Sequence, residues 1–170
     1  MRKVVENSMV AHIWAQQTQS EARSNNGNYW FRDRVIYSYR TPIAAFAIDI
    51  HGARRALVTC ESFSPTTASK HKPPIWRALE YSELAFTVPF VTTGQYGRMA
   101  SYSDWPQVHE ANAQYLLKRA QELGERLARW HVRFYLDGNE GIEGRQGMLR
   151  EELAKVDSYC SAYSTSPLDQ

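Results

Sequence analysis

Hydrophobic positions along the chain change their period twice. Near the start, Val10, Ile13 and Trp14, with Ala11 beside them, form one helical stripe behind Asn7 or Ser8 as a cap. That spacing predicts a helix to about Arg23, ended by SNNGN. From Tyr29 the pattern shortens to aromatic and β-branched segments, predicting strands over Tyr29–Tyr39, Ile43–Ile50 and Ala56–Ser62. Pro42 separates the first two, and Asp49-Ile50-His51-Gly52 turns between the second and third. Links this short favour an antiparallel meander over parallel crossovers. The middle predicts a turn at Thr66–His71, a helix from Pro74 to Tyr81 and a strand at Ala85–Val91, with Pro73 and Pro74 forbidding one continuous helix.

The last third is plainer. Ser103 or Asp104 caps a long helix with Pro106 in its first turn, and Ala113, Leu116, Ala120, Leu123, Leu127, Trp130 and Phe134 step by three and four along one face. DGNEGIEGRQG reads as an exposed loop, open at IEGR to an arginine-directed protease. A second helix follows, with Leu149, Leu153, Val156, Cys160 and Tyr163 as its apolar seam. The expected object is α+β. Residues 1–100 hold an N-terminal helix, a small antiparallel meander and a short middle helix. Residues 101–170 form a long αα-hairpin packed on the same domain. The hairpin either covers the sheet or projects as an arm that makes a homodimer.

Composition narrows the class without naming a function. A chain of 170 residues, 43% hydrophobic and 22% charged, matches an ordinary globular domain. The formal charge of +2 is uneven, with a basic front and an acidic end. Cys60 and Cys160 belong to no CxxC pair, and no run approaches a membrane span. Glu6, Asn7, Ser8 and His12 interrupt the apolar stretch behind the basic tip, which argues against a secretory leader and for a cytoplasmic protein.

Charge then singles out NGNYWFRDRVIYSYR, Asn26 to Arg40, with five aromatic residues and three arginines. As one strand it places Tyr29, Phe31, Val35, Tyr37 and Tyr39 on a core face and Trp30, Arg32, Arg34, Ile36, Ser38 and Arg40 outward. Cations around a flat aromatic suit phosphates and a stacked base, or the acidic surface of a protein. Arg54 and Arg55 extend that patch, and Arg126, Arg129 and Arg133 offer a second one on the long helix. The competing use is a solvated sheet face whose arginine stems screen Ile36 and Trp30.

Familiar catalytic signatures are missing. HEANA, His109 to Ala113, lacks the second histidine of a zinc-protease helix. The chain has no Walker loop, dinucleotide fingerprint or GxSxG elbow, and its residues imply no metal or cofactor. TTASKH, Thr66 to His71, gathers hydroxyls, an ammonium and an imidazole, and reads either as a cap and surface turn or as part of a small hydrolase or transferase site with His12, Thr67 and His71.

VAHIWAQQ, NGNYWF, IYSY, PIA and TTASKH together resemble a family of uncharacterised proteins from bacteriophages and other mobile elements. Arg40 stands where the family pattern has glycine after YSY, and Thr41 precedes Pro42 with no histidine between. The resemblance covers about Asn7 to Ala78 and implies a phage setting and a host cytoplasm. Small phage proteins without catalytic motifs usually act by binding. The resemblance therefore implies a partner that is a host protein or nucleoprotein complex, including CRISPR complexes, or DNA or RNA directly.

Overall fold

The computed structural model describes residues 3–79, 85–91, 105–133 and 139–163. The chain divides into two compact units, Met1–Val108 and His109–Gln170.

The first unit is built on a seven-stranded sheet whose spatial order follows the chain: β1 Val4–Val5, β2 Glu21–Ser24, β3 Tyr29–Arg32, β4 Val35–Ser38, β5 Thr41–Ile48, β6 Arg54–Thr59 and β7 Ala85–Val88. The four inner pairings are antiparallel, whereas β1–β2 and β6–β7 are parallel. Each parallel link carries a helix: α1, Asn7–Gln16, and α2, Lys72–Leu79. Both crossovers advance the same way across the sheet from strands that point the same way. Right-handed crossovers must then place both helices on one face. There Val10, Ala11 and Trp14 of α1 and Ile75 and Leu79 of α2 meet Tyr29, Phe31, Ile36, Ala44, Phe46, Ala56 and Val58 in one core. Trp14 stacks on Phe46 at 4.4 Å, and its Nε1 donates to the Arg34 carbonyl at 2.9 Å.

Several sequence expectations are corrected here. The first helix stops at Gln16, because Gln17 turns left-handed (φ 51°) and its side chain donates to the Trp14 carbonyl at 2.7 Å. It starts behind Glu6, and neither Asn7 nor Ser8 is its cap. The freed chain makes β2, which lets the sheet grow beyond a small meander. Tyr29–Tyr39 is two strands. Arg32 pairs with Val35 across a two-residue turn at Asp33, whose φ of 50° suits an acidic residue that tolerates the left-handed region. Pro42 lies inside β5, opposite Tyr37, beside a register shift between Ile36 and Tyr37 that relieves the ladder of its missing N–H. In the middle, Thr67–His71 is a π turn running straight into α2, with the Lys72 N–H bonded to the Thr67 carbonyl. Pro73 and Pro74 therefore sit in the first turn of α2, and the wide π turn absorbs the bonds they cannot donate.

The second unit is a helical hairpin of α3, Trp105–Arg133, from His109 onward, and α4, Asn139–Tyr163. Contacts run in antiparallel order: His109 with Tyr159, Arg119 with Glu152, and Gly124 with Leu149. Ala113, Leu116 and Ala120 are buried as their spacing predicts. On α4 the buried set is Glu152, Val156, Tyr159 and Ala162, while Leu153 is 42% exposed, so the seam lies one position from the apolar reading. Polar contacts explain the offset, because Glu152 accepts from Arg119 Nε (2.9 Å) and Lys155 Nζ (2.8 Å). The glycine-rich segment from Asn139 to Gly147 is helical, against the expected loop, and IEGR lies inside that helix. Each interior glycine weakens a helix by about 1 kcal/mol relative to alanine without forbidding it. Phe134 and the side chain of Trp130 lie outside the described residues, as do Tyr81 and the expected caps Ser103 and Asp104. No described helix is long and apolar enough to cross a membrane.

Candidate functional site

Splitting Tyr29–Tyr39 into a hairpin redistributes its side chains. Residues opposite each other across an antiparallel pair share a face. Phe31 therefore joins Ile36, and Tyr29 joins Ser38, on the helix-covered side. Trp30 stands opposite Tyr37 on the other side, with Arg23 of β2 opposite Trp30 on its far flank. The Trp30 and Tyr37 rings stack at 4.1 Å and 8°. Trp30 Nε1 donates to the Tyr39 carbonyl at 2.7 Å, which fixes the indole's tilt. Burial raises the Tyr37 phenol above its ordinary range, so the stacked ring stays neutral. The result is a fixed aromatic plate in which Tyr37 is buried and Trp30 is partly exposed.

Arginines border this plate without forming the expected row. Arg32 is exposed on the face of Trp30, its guanidinium 6.0 Å from the ring centre. Arg34 sits in the turn after Asp33, and Arg40 is exposed in the turn after Tyr39, at the opposite end of β4. Four strand residues, about 13 Å, separate those turns. Arg54 leaves the patch altogether, since alternation puts it on the helix-covered face. There it caps the Phe46 ring at 4.4 Å and donates to the Ala15 carbonyl at 3.2 Å. Arg55 donates to Asp49 at 2.8 Å, three strands from β3. Burial works against the Asp49 carboxylate, but hydrogen bonds from Arg55, Ala53 and His51 outweigh it and hold its pKa below the usual range. In the hairpin unit Arg126 and Arg129 are exposed, and Arg126 shares a mixed-charge cleft of about 380 Å³ with Glu122, Glu151 and Lys155. The side chain of Arg133 lies outside the described residues.

A second cleft, also about 380 Å³, opens on the β2 side of the plate. Ala22, Phe31 and Gly27 line it together with Trp30, Arg23, Arg32, Lys3 and Glu21. Lys3 pairs with Glu21, and that bond keeps the Glu21 carboxyl below its ordinary range. Arg23 and Arg32 are left as the net cations of the cleft. Sequence reasoning missed Arg23, because the first helix was extended over β2. The signal was the polar QTQS stretch, Gln17 to Ser20, which breaks the helical stripe.

TTASKH becomes the other polar centre. Ser38 Oγ lies 2.7 Å from His71 Nδ1 and 2.8 Å from Thr67 Oγ1, and Thr67 Oγ1 lies 3.0 Å from Ser64 Oγ. Tyr29 stacks on the imidazole at 4.7 Å. Burial, with Lys70 nearby, lowers the His71 pKa, so the ring is neutral at pH 7 and Nδ1 shares a single proton with the Ser38 hydroxyl oxygen. Ser38, Thr67 and His71 are each about 2% exposed. A serine hydroxyl against an imidazole is the start of a nucleophile, but here the pair is buried and holds the π turn before α2 to β4. His12 stays on the exposed side of α1, apart from the buried pair Thr67 and His71. Among the described residues no group of three or more His, Cys, Asp or Glu gathers as a metal site. Comparison with known proteins finds no match among family models, curated proteins or solved structures.

Proposed function

We propose that this chain is a non-enzymatic binding protein of phage origin. It acts in a host cytoplasm and docks on a host nucleic-acid-handling or defence complex, interfering with it as an anti-CRISPR inhibitor does. One observation carries the reading: the Trp30–Tyr37 plate is locked in place, faces away from the α1–α2 core and is flanked by the exposed Arg32. Preorganised aromatic and arginine groups are the side chains that dominate interface energies. The exposed Met148 and Leu153 on α4 support a further contact surface on the hairpin.

The test is affinity capture from bacterial lysate with wild-type protein and a Trp30→Ala/Arg32→Glu variant. The expected result is a defined host nucleoprotein complex, recovered near stoichiometry, inhibited in its nuclease activity and lost with the variant. Recovery of bulk nucleic acid alone replaces this reading with direct DNA or RNA binding. Recovery of neither removes both.

A further inference from the structure

The chemistry of the cleft beside Trp30 deepens that proposal, on which this inference rests for its choice of face. We infer that the cleft takes single-stranded nucleic acid, with one base stacked on the indole and its flanking phosphates held by Arg32 and Arg23. Tyr37 covers one side of the Trp30 ring and is not part of the cleft lining, so the other ring face, with the exposed Arg32 guanidinium 6.0 Å from the ring centre, borders the cleft, and an incoming base would shift Arg32 toward its phosphate. Arg23 does not fill that space. It bends toward the β2–β3 turn, where its guanidinium comes within 3.8 Å of the position a side chain would take at Gly27. The turn itself needs glycine there, because its backbone is left-handed (φ 69°).

Charge and size select the ligand. Glu21 is neutralised by Lys3, and the remaining Arg23 and Arg32 both line the cleft with the indole, Arg23 across the strand pair from Trp30 and Arg32 two residues along its strand. Two cations around a fixed π surface match a base between phosphates. Aspartate and glutamate side chains satisfy the arginines but offer the ring no π face, whereas every nucleotide brings a phosphate and a flat base together. A volume of about 380 Å³ admits a nucleoside and excludes a duplex, whose bases remain stacked on one another.

The experiment titrates the full-length chain into a fluorescein-labelled oligothymidylate of about 12 nucleotides, read by anisotropy at low and rising salt. Trp30→Ala is expected to weaken binding by roughly 5- to 150-fold, the value of one stacked base, while Trp30→Phe retains most of it. Arg32→Ala and Arg23→Ala should each lower affinity and reduce the slope of log K against log salt by about 0.7. Both side chains are exposed, so these two variants test the idea even where Trp30→Ala disrupts β3. No anisotropy change at low salt overturns the inference, as does unaltered binding by Trp30→Ala. If the oligonucleotide fails yet a nuclease-resistant host protein complex is captured through the same residues, this inference falls and the proposed function stands. Oligonucleotide binding without capture of any complex does the reverse.

Discussion

Each of the two units buries a histidine against a hydroxyl, and they do so by different means. In the sheet unit His71 meets Ser38 and, through it, Thr67 and Ser64, joining the π turn before α2 to a strand more than twenty-five residues earlier. In the hairpin His109 Nδ1 lies 2.8 Å from the Tyr159 hydroxyl, which also accepts from Asn112 Nδ2 at 3.0 Å, while the imidazole stacks on Tyr163 at 3.7 Å. The first is a chain of small aliphatic hydroxyls beside a large apolar core. The second is an aromatic cluster that forms a good part of the helix–helix interface. Burial of polar groups thus serves to orient elements in the sheet unit, and it substitutes for aliphatic packing in the hairpin.

The largest effect separating the two should come from the core. Trp14→Ala removes the Phe46 stack and the bond to the Arg34 carbonyl, and should cost the sheet unit about 3–5 kcal/mol. Denaturant unfolding followed by hydrogen exchange should show amides of β3–β6 losing protection. Equal loss across α3 and α4 would mean that the two units unfold together.

Removing the hydroxyls comes next. Ser38→Ala strips His71 and Thr67 of their shared partner, and Tyr159→Phe takes away the oxygen that His109 and Asn112 both contact. Each should cost roughly 1–3 kcal/mol, the penalty of a buried polar group losing its bond. If the hairpin leans on its cluster for packing, Tyr159→Phe should be the milder change, since the ring and its contacts stay. A more damaging Tyr159→Phe would break the distinction between the units.

Acid should distinguish them further. Burial pushes the His109 pKa down to about 4, and lowers that of His71 as well. A histidine whose folded pKa lies below its unfolded value stabilises the protein above the unfolded value, near 6.5. That stability is lost as the pH falls through the folded pKa. For His109 the window is about 6.5 to 4, and the loss is on the order of 2 kcal/mol once solvent screening is allowed for. Thermal unfolding of His109→Gln should show a flatter pH profile across that window than wild type. A profile identical to wild type would place the acid sensitivity elsewhere.

How much of this was legible depended on whether a signal was local. The period-three-and-four stripe from Ala113 to Ala120 fixed α3, because a helix reads its own sequence. The strands over Ile43–Ile50 and Ala56–Ser62 were visible as β-branched and aromatic runs, with the Asp49 turn between them. Hidden features were those decided by distant partners. β2 is four residues with one buried alanine, and it is a strand because β1 and β3 flank it. The plate around Trp30 was half legible, since Trp30 and Arg32 were placed together on one face. Its partner Tyr37 was assigned to the opposite face, because a single turn residue, Asp33, reverses the alternation. Ser38 was invisible as a partner of His71, because nothing in a sequence says which strand a π turn will lie against.

The smallest predicted effect tests the least expected element. An exposed glycine-rich loop and a glycine-containing helix answer differently to alanine. At Gly144 a side chain would meet nothing within 4 Å, and the backbone is not left-handed, so alanine is free of clash and of strain. In a helix it removes unfolded-state freedom and exposed backbone, and should stabilise the hairpin by about 0.5–1 kcal/mol. Gly147 has the same surroundings, and the double variant Gly144→Ala/Gly147→Ala should give about twice the gain, since both sites are open. Helicity by far-UV circular dichroism should rise slightly, and trypsin should cut more slowly after Arg145, which lies within α4. Unchanged stability with rapid cleavage at Arg145 would return this stretch to a loop and shorten α4 to begin near Leu149. The interface would then rest on Leu149 and on Glu152, Val156, Tyr159, Ala162 and Tyr163, all of which lie beyond the glycines.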